Sequence, residues 1–165
     1  MFLLERTLLS QMYTLSNIRD KLPVDIYVFH MSLSTNKALV KSFVEEVFNN
    51  HDISATEKYL AGHRNEEFKQ FKESLTLFFT AFPDIHANIE HIVAEDNLVV
   101  VFLNFTGTHK GEFQGRSPTN KQVNIRSADL YRIENEKIVE HWDVVDQLNL
   151  LQQTGAITFE QANQE

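Results

Sequence analysis

The stretch Ile138-Val139-Glu140-His141-Trp142-Asp143-Val144-Val145-Asp146 places the chain's only tryptophan, a histidine and two aspartates in a strand-like apolar run. Side chains alternate across a strand, so His141, Asp143 and Val145 share one face and Trp142 and Val144 the other. A carboxylate in a half-buried strand has its charged form disfavoured by apolar neighbours, which is how proteins build a proton shuttle. The direction in which Asp143 points therefore decides how the last strand packs and what the chain can do.

A second strand, Val123 to Ile133, runs into this one through Glu134-Asn135-Glu136. With a three-residue loop and Glu136 at the bulge position, Ile133 pairs with Lys137 and Asp129 lies opposite His141. One face then carries Ile125, Ser127, Asp129, Tyr131, Val139, His141, Asp143 and Val145, the mixture of apolar walls and converging ionisable groups that a small-molecule pocket needs. The other face holds Ala128, Leu130, Ile138, Trp142 and Val144, an apolar surface suited to another layer or a second subunit. A two-residue loop would instead carry Asp129 to the face of Trp142.

Working back along the chain, Leu98 to Thr108 reads as a long strand, and residues 110–121 as a loop punctuated by Gly111, Gly115, Pro118 and Asn120. Before the turn at Glu95-Asp96-Asn97, the period-2 set Ile85, Ala87, Ile89, His91 and Val93 predicts a strand with these residues on one face. Upstream of Pro83 the period becomes helical. Phe68, Phe71, Leu75, Phe78, Phe79 and Phe82 form one stripe behind an Asn65 cap, chiefly packing, with part of it free to line an apolar pocket. A short helix over Ser54 to Leu60 ends at Gly62. Leu39, Val40, Phe43, Val44, Val47 and Phe48 predict a core helix from Ser34 to Asn49-Asn50. Helices first and four meandering strands after them read as an α+β fold, an antiparallel sheet curled over a helical layer.

Residues 1–30 read as an N-terminal extension, with Pro23 breaking a helical pattern before the β-prone Ile26-Tyr27-Val28-Phe29 and Met31 as a second beginning; the domain is 31–160 and 161–165 a tail. At 165 residues, 42% of them hydrophobic and 23% charged, the chain suits a single domain with a real core. A net charge of −8 without clustered Lys and Arg argues against nucleic acid as a partner. No apolar run approaches the roughly 20 residues of a membrane span, and the absence of cysteine leans toward the cytoplasm. No set of histidines has metal-ligand spacing, so no metal is expected.

The run Gly107-Thr108-His109-Lys110-Gly111-Glu112-Phe113-Gln114-Gly115, then Pro118-Thr119 with Lys121, then Tyr131-Arg132-Ile133-Glu134 and Lys137 through Asp143, ending in Leu150-Leu151-Gln152, resembles the SnoaL-like polyketide cyclase family of the nuclear-transport-factor-2-like superfamily. The resemblance spans about residues 35 to 157. It implies a cone-shaped α+β fold, a cystatin-like roll with a deep pocket, usually dimeric through the sheet. It also implies cofactor-free aldol closure of a polyketide ester, with an aspartate of the last strands as general acid/base.

That aspartate matches Asp143. The position of the family's assisting histidine holds Asp129, and Tyr59-Leu60-Ala61-Gly62-His63 departs from the family's spacing at the pocket mouth. The expected function is proton abstraction next to a carbonyl of a small apolar compound. Asp143 and Asp129 form the acid/base pair, and His141 or His109 steadies the developing enolate. Phe79, Phe82, Phe105, Phe113, Tyr131 and Trp142 are the candidate substrate-binding residues, a homodimer the expected assembly, and no cofactor is required. Two other readings stay open: Asp143 as a structural hydrogen-bond acceptor for Tyr131 or backbone, and the whole chain as a non-catalytic ligand-binding or dimerisation module.

Overall fold

The computed structural model describes residues 24–62 and 66–157. The first helix, α1, runs Val24–Phe43 and widens into a π turn over Val44–Asn49. Val40, Phe43, Val44 and Val47, three and four residues apart, are each 1% exposed or less, so this face is the core. Asn50 ends it, its N–H bonding to Glu45 O at 2.9 Å. The start differs from expectation. One helix crosses the β-prone Ile26–Phe29, Ser34 and Met31, so neither a cap at Ser34 nor a division at Met31 marks a structural boundary. β-branched residues cost a helix only tenths of a kcal/mol each, and each residue added to a formed helix gains a hydrogen bond. The proposed arm before Val24 and the tail 161–165 lie outside the described residues.

A 3₁₀ turn at Ile53–Ala55, capped by the Asp52 side chain on Ala55 N–H, leads into the short α2, Thr56–Tyr59. Gly62, at φ +67°, takes the left-handed turn that ends this region. The helix α3, Glu66–Ala81, buries Phe68, Leu75 and Ala81 and lays Phe71, Phe78 and Phe79 against the core. The Asn65 cap lies outside the described residues.

Four strands follow, β1 His86–Glu95, β2 Leu98–Thr108, β3 Gln122–Glu134 and β4 Lys137–Val145, forming one open antiparallel sheet in the order β1-β2-β3-β4. A last helix, α4 Gln147–Gln153, is capped by the Asp146 side chain on Asn149 N–H. The sheet's concave face, Val99, Val101, Leu103 and Phe105 of β2 with Val123, Ile125 and Tyr131 of β3, closes on the helical layer and completes a single-domain α+β roll. Strand β1 keeps the expected face only to Ile89. A bulge at Glu90 swaps the faces, turning Ile92 and Ala94 toward the core and leaving Val93 56% exposed.

The β3–β4 hairpin is built differently from the expected three-residue loop. Glu134 pairs with Lys137 across a two-residue turn, Asn135 at φ +49° and Glu136 at φ +59°, the left-handed pair that matches strand twist. Ile133 then pairs with Ile138 but Arg132 with Glu140, so Val139 is the extra residue of a bulge. The short turn shifts side-chain parity by one and the bulge shifts it back. Tyr131 therefore faces His141 and Asp129 faces Asp143, in place of the expected Asp129 opposite His141. On the outer face Arg132 bridges Glu134 and Glu140, pinning the hairpin across the bulge.

Candidate functional site

At the β4 end of the concave face, Asp129 is only 6% exposed, which for a carboxylate requires partners. Its Oδ2 accepts a hydrogen bond from Ser127 Oγ at 3.0 Å, and its Oδ1 stands 3.6 Å from His141 Nε2. The latter is an ion-pair distance rather than a hydrogen bond, and Nε2 has no hydrogen-bond partner of its own. The imidazole is sandwiched: Tyr131 stacks on it at 4.8 Å between centroids and 8° between planes, and Phe71 of α3 meets it edge-on at 5.4 Å. Tyr131 in turn packs edge-on against Phe43. Burial first, then the charges of Asp129 and Asp143, push the Tyr131 phenol well above its ordinary value, so it stays a neutral O–H donor.

Asp143 lies on the same face, directly across from Asp129, but it is exposed. The sheltered position expected of it belongs to Asp129: helices cover the sheet as far as His141, and β4 is exposed on both faces from Trp142 to Val145. Asp143 thus stands at the rim of the site. Trp142, proposed as substrate-binding, is paired with Leu130 on the opposite, convex face and is 50% exposed, so it cannot meet a ligand held by Asp129 and His141.

His109 is also placed elsewhere. It lies eight residues along the chain from Val101, the partner of Asp129, roughly 26 Å of extended strand. There it is fully buried, with Nδ1 3.0 Å from Thr119 Oγ1 and its ring 5.4 Å from Phe82. Its N–H and C=O bond to Lys121 O and Asn120 N–H, while the N–H groups of Lys110 and Gly111 share Ala81 O at the end of α3. A Cβ on Gly111 would come 2.1 Å from Thr80 O, so only glycine permits this approach. Phe82, Phe105 and Phe113 join Phe78 in one cluster of edge-on and tilted rings, with Phe79 beside it. These residues fill the wall of the roll. Of the expected substrate-binding residues only Tyr131 borders the acid–histidine pair.

Ser127 and Phe71 are the side chains of this site that sequence reasoning left without a role. Ser127 is two residues before Asp129 and therefore on its face, a signal the alternation carries; Phe71 belongs to a stripe whose individual contacts only packing assigns. Two surface hollows lie away from the pair: about 450 Å³ between α1, α2 and the β3–β4 turn, lined by Leu39, Tyr59 and Lys137, and about 350 Å³ around Asp84, Thr108 and Gln153. Among the described residues no three His, Asp or Glu side chains converge as a metal-ligand group, and no helix is long and apolar enough to cross a membrane.

An antiparallel sheet rolled over helices, with ionisable groups gathered on its concave side, defines the class of cone-shaped α+β rolls. The chain belongs to the SnoaL-like polyketide cyclase family, whose profile matches residues 38–154. Among solved structures it is similar to AclR of Streptomyces galilaeus, provisionally called a hydroxylase, at 28% identity over 79% of this chain and 87% of that one, with a TM-score of 0.68. It is similar to a provisionally assigned polyketide cyclase of Acidithiobacillus ferrooxidans at 27% identity, over 75% and 96% of the two chains, with a TM-score of 0.65. TsrD of Streptomyces laurentii, 20% identical over 75% of this chain and 97% of that one, shares the fold at a TM-score of 0.67. Comparison with curated proteins finds no match.

Proposed function

We propose that the protein performs cofactor-free proton transfer at a carbon next to a carbonyl, of the kind that closes a polyketide ester by an aldol step, on a small apolar compound. The observation that carries this reading is the pairing of the buried Asp129 with the half-buried His141 on the concave face, with a neutral phenol stacked beside it. A carboxylate beside an imidazole orients the ring and gives one nitrogen an acceptor for its N–H, which leaves the other nitrogen to act as the base. The Tyr131 O–H supplies a donor for the developing enolate oxygen, the role expected of a histidine at this site. Asp143 at the rim passes protons between the pair and water. Phe71 packs edge-on against His141 and would border a substrate bound there. The proposal agrees with the family and with the cyclase name of one relative; the hydroxylase name of another marks how much chemistry varies on this fold.

The test is solvent deuterium exchange into a panel of β-keto esters and aromatic polyketide methyl esters, followed by NMR. Wild-type protein is expected to exchange the proton next to the carbonyl in at least one of them and Asp129→Asn to lose that activity. Exchange that survives the substitution unchanged would remove the pair from the reaction.

The convex face supports a second copy as partner. Val93, Phe102, Trp142 and Val144 are 56%, 44%, 50% and 76% exposed there, an apolar surface of the kind that subunits cover. Sedimentation is expected to show a dimer that Trp142→Glu dissociates; a wild-type monomer at tens of micromolar, roughly the range where weak dimers persist, would contradict it.

A further inference from the structure

We propose that Ser127 is a positioning residue that turns Asp129 and His141 into a three-residue relay and selects Nδ1 of His141 as the atom that exchanges protons with substrate. This rests on the reading of the pair as the proton-transfer centre. Ser127 and Asp129 are two apart on β3, both 6% exposed, and both on the concave face. The serine hydroxyl donates to Asp129 Oδ2 at 3.0 Å, which occupies one carboxylate oxygen and fixes the plane of the group. The other oxygen, Oδ1, is left facing His141 Nε2 at 3.6 Å. A free carboxylate could rotate about its terminal torsion, which is broad, and present either oxygen; Ser127 removes that freedom.

The tautomer follows from charge. Nε2 faces an acceptor-only group, so the neutral ring places its proton there and leaves the lone pair on Nδ1. In the forward step the C–H bond next to the substrate carbonyl breaks, its electron pair becomes the enolate, and the proton forms a bond to Nδ1. The resulting imidazolium keeps its Nε2–H toward Asp129. After the new carbon–carbon bond forms, Nδ1 returns the proton to the product oxygen, and no oxidant or co-reactant is consumed. Ser127 touches neither substrate nor the moving proton.

The test needs no substrate. Two-dimensional NMR of protein labelled with ¹⁵N in its histidine rings reports which nitrogen of His141 is protonated. Wild type is expected to hold the Nε2–H tautomer in roughly tenfold excess, from the electrostatic pull of the buried carboxylate 3.6 Å away on an N–H dipole. Ser127→Ala and the near-isosteric, weakly donating Ser127→Cys are expected to lower that excess several-fold in protein that stays folded, whereas Ser127→Thr keeps the hydroxyl and restores it. Should Ser127→Ala unfold, the cysteine and threonine variants decide. An Nδ1–H ring in wild type, or an Nε2–H excess unmoved in every folded variant lacking the hydroxyl, overturns the proposal. If the tautomer responds as expected but no ester in the deuterium-exchange panel reacts, the positioning role stands and the catalytic reading fails.

Discussion

Two histidines sit at opposite ends of the same curved sheet, and their surroundings differ in one respect that separates chemistry from packing. Both His141 and His109 lie among aromatic rings and both have an Nε2 without a hydrogen-bond partner. His141 faces the buried carboxylate of Asp129, whereas His109 meets the Thr119 hydroxyl and the rings of Phe82 and Phe113. A carboxylate gives one ring nitrogen a charged partner; a hydroxyl and a phenyl wall bring no charge and hold the ring in place. Aromatic enclosure alone therefore marks neither ring as functional.

The largest effect expected from this contrast comes from exchanging each ring for an amide. His141→Gln is expected to lower turnover by roughly 10²–10⁴-fold with a small change in stability. His109→Gln is expected to destabilise the fold by about 1–3 kcal/mol, because it replaces a ring packed in an aromatic wall by a flexible amide whose donor and acceptor are left to satisfy, with turnover per folded molecule kept. Parallel rate and urea-unfolding measurements separate the two, and matching profiles for both variants would erase the distinction. Gly111→Ala sharpens it from the backbone side. The added Cβ meets Thr80 O at 2.1 Å, so the loop must leave the end of α3, at a cost of about 1–3 kcal/mol or more, while the acid–histidine end is untouched.

The smallest effect concerns the staple that holds the start of that loop. Asp84 accepts from the Thr108 hydroxyl and N–H and from Lys110 Nζ, and these bonds, the hydroxyl's first, lower its carboxyl to about 2. A folded-state value below the unfolded 3.8 means a contribution present above about pH 4 and lost as pH falls through about 2. The side chain is 42% exposed, so screening keeps that contribution under about 1 kcal/mol. Asp84→Asn is expected to unfold at lower urea than wild type at pH 6 and to match it near pH 2; an equal gap at both would assign the effect to something other than charge.

Most of the architecture was legible from periodicity, because a 3.6-residue stripe and a two-residue alternation each mark the face that meets the core. The failures are local and have physical causes. The face shared by Asp129, His141 and Asp143 came out correctly although the loop was wrong, since the turn at Asn135-Glu136 and the bulge at Val139 cancel in parity. Glutamate in a left-handed turn position gives no glycine signal. The bulge at Glu90 is equally silent, and so the reading of His91 and Val93 inverted. Depth was the harder quantity: alternation says which way Asp143 points, but how far the helices extend over the sheet is settled by tertiary packing. The helix α4 carried its signal in Asp146, an N-cap residue read as the end of a strand. The Gly-Glu-Phe motif identified the family while serving here to dock a loop on α3.

The most direct test of the account compares two aspartates that face each other across β3 and β4. In the deuterium-exchange assay on a responsive ester, Asp129→Asn is expected to cost roughly 10²–10⁴-fold and Asp143→Asn less than about tenfold, both with wild-type melting behaviour. The reverse order, with the rim carboxylate essential and the buried one dispensable, would contradict the assignment of the proton-transfer centre to Asp129 and His141.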